Sequence, residues 1–118
     1  MIVLDTHALV WWVSDPSRLS KKAHTAIKRE LPDGEILVSS ISVWEIATLV
    51  TKNRLVLSMD VASWVHTVGA IDGVRFVPVD NDISIKSTEL PGEFHKDPAD
   101  RIIVTTARKF AAALVTGA

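Results

Sequence analysis

Four short apolar runs, each separated from the next by segments with helical spacing, set the strongest limit on what this chain can fold into. They are Ile2-Val3-Leu4, Ile36-Leu37-Val38, Val74-Arg75-Phe76-Val77-Pro78-Val79 and Ala113-Leu114-Val115-Thr116. Runs of this length bounded by turn signals read as buried strands. Between them, Thr6 to Val13 reads as a helix stopped by Ser14-Asp15-Pro16, and Ser20 caps a polar helix reaching about Glu30. Ser42-Val43-Trp44-Glu45 has the form of a capping box opening a helix to about Lys52. Val61, Trp64, Val65 and Val68 form a helical stripe after Asp60, and Asp80 or Asn81 caps a short helix through Ser87. Asp97-Pro98 is an N-cap followed by proline in the first helical position, so the last helix starts there. Strands alternating with helices predict an α/β domain with a mainly parallel sheet.

At 118 residues the chain makes one domain, with room for a hydrophobic core and no need of covalent staples. It has no cysteine, which excludes disulfides and thiolate metal sites and fits a reducing cytoplasm. Met1-Ile2-Val3-Leu4-Asp5 meets an acid too early for a signal peptide, and no apolar run reaches membrane-spanning length. The net charge of −1 provides no global attraction for nucleic acid, so such a partner would be engaged locally, through a metal or a basic rim.

In parallel sheets, ligands bind beyond the carboxyl ends of the strands. Three acids are candidates for that edge. Asp5 ends the first strand, Glu45 lies in the first turns of the helix after the second, and Asp100 lies in the first turn of the helix that feeds the last. Asp5 is also placed to cap the helix that follows it, and Glu45 to complete the capping box with Ser42. Glu45 is expected to point away from the stripe Val43, Ile46, Ala47 and Val50, on a side with Thr48 and Lys52. Asp100 heads the stripe Ile103, Val104 and Ala107, with Arg101, Thr105, Arg108 and Lys109 on the opposite side. A charge on a buried face needs a cationic partner or a metal. Three carboxylates sharing one edge repel unless a cation lies between them, and oxygen-only donors suit Mg²⁺ or Mn²⁺. Asp97 is better explained as a cap than as a ligand.

His7 and His95 flank these acids without zinc-site spacing. His7 is expected to pack within the first helix. His95, beside Lys96 and near Arg101, is placed to touch a phosphate. Trp11, Trp12 and Trp64 have the spacing of core residues. Adjacent tryptophans cannot both face one core, which leaves one for a protein–protein surface.

The run Met1-Ile2-Val3-Leu4-Asp5-Thr6-His7-Ala8-Leu9-Val10-Trp11-Trp12 resembles the opening of PIN-domain ribonucleases of the VapC toxin type. Ser39-Ser40-Ile41-Ser42-Val43-Trp44-Glu45-Ile46 resembles their second motif. Leu90-Pro91 followed by His95-Lys96-Asp97-Pro98-Ala99-Asp100-Arg101-Ile102-Ile103 resembles their third. The resemblance spans the chain. It implies one PIN-like domain over residues 1–118, a three-layer α/β/α fold with four or five mainly parallel strands. It also implies a metal-dependent endoribonuclease, the toxin of a toxin–antitoxin pair, that works as a cytoplasmic homodimer and is inhibited by a VapB-like antitoxin lying across the active site. Carried over by motif, Asp5, Glu45 and Asp100 hold one or two Mg²⁺ or Mn²⁺ ions, and Thr6 supports Asp5. Hydrolysis by a metal-bound hydroxide would leave 5′-phosphate ends on the RNA. Asp97, His95 and Arg101 are secondary candidates.

The chain departs from the family pattern at Ala118, where another acid usually follows a Thr-x pair, and the terminal strand is expected to be missing. A second reading follows from that departure, a PIN domain that binds RNA or antitoxin without cutting. A phosphotransfer domain fits less well, since it needs a second acid two residues after Asp5, where His7 stands.

Overall fold

The computed structural model describes residues 1–92 and 97–117. Strands β1 (Ile2–Leu4), β2 (Ile36–Ser39), β3 (Val74–Val77) and β4 (Ala113–Val115) form a sheet in the order β3-β2-β1-β4. All three pairings are parallel, with Val3 opposite both Leu37 and Leu114. The helices are α1 (Thr6–Ser14), α2 (Lys21–Glu30), α3 (Ser40–Thr51), α4 (Val61–Gly69), α5 (Asn81–Ser87) and α6 (Pro98–Lys109), with a 3-10 turn at Pro16–Arg18.

The period of two along the strands sorts their side chains into two cores. Ile2, Leu4, Ile36 and Val38 pack on one face with Ala8 and Leu9 of α1, Ala23 and Ile27 of α2, Ile46 of α3, and Trp64 and Val68 of α4. Val3, Leu37 and Val77 pack on the other with Ile83 of α5 and Ile103 and Ala107 of α6. Two helical layers therefore enclose the sheet, as the three-layer expectation requires. Among the described residues, no helix is long and apolar enough to cross a membrane.

The predicted caps hold at Ser20, Asp80 and Asp97, whose side chains accept from the N–H groups of Ala23, Ile83 and Ala99, and Asp60 caps α4 in the same way at the Ser63 N–H. Two readings are corrected. Helix α3 starts three residues earlier than expected, capped by Ser39 at the Ile41 N–H rather than by Ser42, so Ser42 and Glu45 form no capping box. The second strand runs straight into the helix without a loop, and this brings Ser42 inside. Thr105, assigned to the outer side of α6, is buried because α5 packs there. Its hydroxyl is satisfied by the Arg101 carbonyl at 2.8 Å.

Strand order reverses beside β1, with β2 and β3 on one side and β4 returning to the other. That switch point opens a crevice at the carboxyl ends of the strands. Leu37 is fully buried at the centre of the sheet. Leu37→Ala is expected to destabilise the protein by about 2–5 kcal/mol, read as a lower urea midpoint with an unchanged slope.

Candidate active site

Asp5 stands where β1 becomes α1. Its backbone N–H donates to the Val115 carbonyl at 3.0 Å, continuing the ladder between β1 and β4. Its Oδ1 accepts from the Ala8 N–H at 2.8 Å and the Gly117 N–H at 3.1 Å. The capping reading and the site reading of Asp5 are thus compatible, since the cap uses Oδ1. Among the described residues Oδ2 takes no hydrogen bond.

The opening of α3 brings a second acid to the same edge. The Thr6 hydroxyl, buried under the first turn of α1, donates to Glu45 Oε1. The Ser42 hydroxyl lies 2.9 Å from Thr6 Oγ1. Thr6 has one proton and spends it on Glu45, so Ser42 must donate to Thr6. Two expectations change here. Thr6 supports Glu45 rather than Asp5, and Glu45 turns toward the sheet edge rather than away with Thr48 and Lys52. The earlier start of α3 rotates Ser42 and Ile46 into the interior, and Glu45 follows at their margin.

The start of α6 supplies the remaining acids. Asp97 caps the helix, its Oδ1 accepting from Ala99 N–H at 2.9 Å. Asp100, half-buried in the first turn, accepts no hydrogen bond from a described residue. It lies at the margin of the stripe headed by Ala99 and continued by Ile103 and Ala107. Asp100 is close enough for its charge to be felt at both Asp5 and Glu45, and Asp97 at Glu45. Arg101 turns elsewhere, its Nε donating to the Ser87 carbonyl at 2.9 Å and tying α6 to α5. His95 and Ala118 lie outside the described residues.

The electrostatics follow from this crowding. Burial is the main cause pushing the Asp5 carboxyl above its ordinary range, opposed by its two backbone N–H bonds and reinforced by Asp100. Burial likewise pushes Glu45 up, opposed by the Thr6 bond and reinforced by Asp97 and Asp100. Nothing cationic among the described residues bridges these acids, and no three of their acid and histidine side chains close into a ready-made metal cage.

Two residues at this edge, Gly117 and Trp44, escaped the sequence reading, while a third, His7, packs within the first helix as expected. His7 is exposed on α1, its ring against Trp11 with centroids 5.6 Å apart, and its field reaches Asp5 and Glu45. A cap at Asp5 turns the next residue but one outward, which could have been foreseen. Gly117 is required by close approach: a Cβ there would lie 2.7 Å from His7 Cβ and 2.8 Å from the Ala8 nitrogen. Nothing in the sequence signals a contact across 112 residues. Trp44, 62% exposed beside Glu45, is the outward tryptophan, while Trp11 and Trp12 both pack partly on the core.

An acidic cluster at the switch point of a parallel α/β sheet narrows the class, and comparison with known proteins completes the assignment. Residues 2–117 match the model of the PIN domain. Ribonuclease VapC22 of Mycobacterium tuberculosis is 36% identical over 115 residues, covering 98% of this chain and 85% of that protein. The fold is shared with a toxin–antitoxin complex from Klebsiella pneumoniae, at TM-score 0.64 and 21% identity over 97% of this chain and 83% of that one. It is shared too with VapC20 of M. tuberculosis, a sarcin–ricin-loop-cleaving toxin, at TM-score 0.65 and 15% identity over 95% and 85% of the two chains. The chain belongs to the PIN-domain family.

Two outcomes test this geometry. For an acid whose pKa is raised on folding, stability is fully present below the unfolded value, here 4.5, and is lost as pH rises through the folded value. Glu45→Gln, which keeps an acceptor for Thr6, is therefore expected to melt higher than wild type at pH 7 in EDTA, the gain vanishing toward pH 4. Gly117→Ala is expected to displace Asp5, lowering the melting temperature and any activity of the site together, as a melting curve and a cleavage assay would record.

Proposed function

We propose that this PIN domain is an endoribonuclease toxin of a VapBC-type pair, hydrolysing RNA phosphodiester bonds with Mg²⁺ or Mn²⁺ held by Asp5, Glu45 and Asp100. One observation carries the site assignment: three carboxylates from β1, α3 and α6 converge in electrostatic range at the switch point. The donor set is all oxygen, which suits a hard divalent ion. Asp5 and Glu45 each have one oxygen pinned by protein hydrogen bonds, and the other takes none from a described residue.

When bound, the ion neutralises the cluster, polarises the scissile phosphate and favours ionisation of a water. The chain's own groups fix the geometry. Ala8 and Gly117 N–H hold Asp5, Thr6 and Ser42 hold Glu45, and the cap at Asp97 sets where α6 begins and so where Asp100 stands. Arg101 acts as a positioning residue through Ser87. The assignment to RNA rests on the 36% identity to a protein named as a ribonuclease. A VapB-like antitoxin, a homodimer and a cytoplasmic setting with 5′-phosphate products complete the proposal.

Ala118, where the family usually has an acid, favours a second reading in which the domain binds RNA or antitoxin without cutting. Incubation of the purified chain with structured RNA separates the two. Cleavage is expected with Mg²⁺ or Mn²⁺, none in EDTA, and at least a ~100-fold loss in Asp5→Asn, which keeps a good N-cap and hence the fold. RNA bound but uncut under every metal would establish the second reading; cleavage untouched by Asp5→Asn would overturn the site.

A further inference from the structure

Positive charge is distributed unevenly along this nearly neutral chain. Residues 16–29 contain five of the 13 Lys and Arg and none of the 14 Asp and Glu. On α2, the positions Lys21, Lys22, Lys28 and Arg29 fall within one arc around Thr25, opposite the buried Ala23 and Ile27. None of the four makes an ion pair with a described residue. A lone basic helix face is ordinarily a solvated one; this face has a fixed relation to the acid cluster.

Two connections lead from one to the other. Small side chains at Ala23 and Ala26 leave a groove of about 310 Å³ between α2 and β4, with Lys22 on one wall and Ala113 to Thr116 on the other. At its far end the next residue is Gly117, whose N–H holds Asp5. The second connection runs over α1. Arg18 stacks on Trp11 with its guanidinium carbon 4.9 Å from the ring, and Trp11 meets His7. His7 stands beside Asp5 and Glu45.

We propose that the outer face of α2, with Arg18 held on Trp11, is the track on which the phosphate backbone of a single-stranded RNA lies as it enters the acid site. The inference rests on the ribonuclease reading and names the surface that holds the substrate. An acidic site in a protein of net charge −1 repels a polyanion, and cations must offset that locally. The face carries two pairs of cations, Lys21 with Lys22 and Lys28 with Arg29, over about 12 Å at 1.5 Å per residue, and aromatic and guanidinium planes at its end can stack on an unpaired base.

The test measures binding of a fluorescein-labelled 20-nucleotide oligouridine by anisotropy, in Mg²⁺, with every protein in the uncut Asp5→Asn background. Substituting Lys21→Gln, Lys22→Gln, Lys28→Gln and Arg29→Gln together keeps helix propensity. This variant is expected to bind at least 10-fold more weakly, and the slope of log affinity against log salt to flatten by about 2 to 3, near 0.7 per lost phosphate contact. Lys52→Gln with Arg54→Gln, exposed charges elsewhere, is expected to change affinity less than twofold. Unchanged affinity and slope in the fourfold variant would overturn the track, as would an equal loss in the control pair. Loss of binding to polyglutamate but not to oligouridine would overturn it too, assigning the face to an acidic peptide. Because binding is read without cleavage, a wild-type chain that binds on α2 but cuts nothing defeats the nuclease reading alone. A chain that cuts while α2 proves indifferent defeats the track alone.

Discussion

The placement of Asp5 is the constraint on which the remaining geometry depends. Its backbone N–H closes the ladder to β4, its Oδ1 caps α1, and the same oxygen takes the N–H of Gly117 after β4. One residue thereby couples the central strand, the helix that follows it and the exit of the edge strand. Since Oδ1 is spent on this joint, the functional capacity of the residue resides in Oδ2. The joint also explains why glycine stands at 117, where any side chain would strike the backbone of α1.

Around this joint the acids are held by neutral donors rather than by cations. Thr6 and Ser42 form a buried hydroxyl relay that ends on Glu45, and backbone N–H groups hold Asp5. Neutral donors orient a carboxylate without quenching its charge, so Asp5 and Glu45 remain costly to ionise and repelled by Asp100. A salt bridge would have removed that cost within the protein; its absence among the described residues leaves the cost for a ligand to relieve. Among the described residues, one group of cations without an ion pair lies instead on α2, outside the cluster but joined to it through the β4 groove and the Arg18–Trp11–His7 stack.

Local signals in the sequence were sufficient where the physics is local. Ser20, Asp80 and Asp97 cap the helices they were expected to cap, because a side-chain oxygen and an N–H two or three residues on are enough to define the motif. The four strands were legible as apolar runs; β1 and β2 are buried along their whole length, which explains why they lack polar alternation, while β3 and β4 at the sheet edges are partly exposed. Local reasoning failed at α3. Ser42 and Glu45 have capping-box spacing, but β2 enters the helix directly and Ser39 takes the cap, which turns Ser42 inward to meet Thr6 across 36 residues. Thr105 and Gly117 were misread or missed for the same reason, since packing between distant elements decides both. That Asp5, Glu45 and Asp100 share one sheet edge was inferable from the order of elements along the chain and their pattern, although the strand order itself was not, and the partners that hold Asp5 and Glu45 were not legible either.

We propose that one divalent cation resolves the repulsion among the carboxylates of Asp5, Glu45 and Asp100 at the β1–β4 switch point. Crystals soaked in MnCl₂ and measured at the manganese absorption edge test it most directly. An anomalous peak bounded by the carboxylates of Asp5, Glu45 and Asp100 is expected. A map with no peak there, with those side chains well ordered and directed apart, would contradict it.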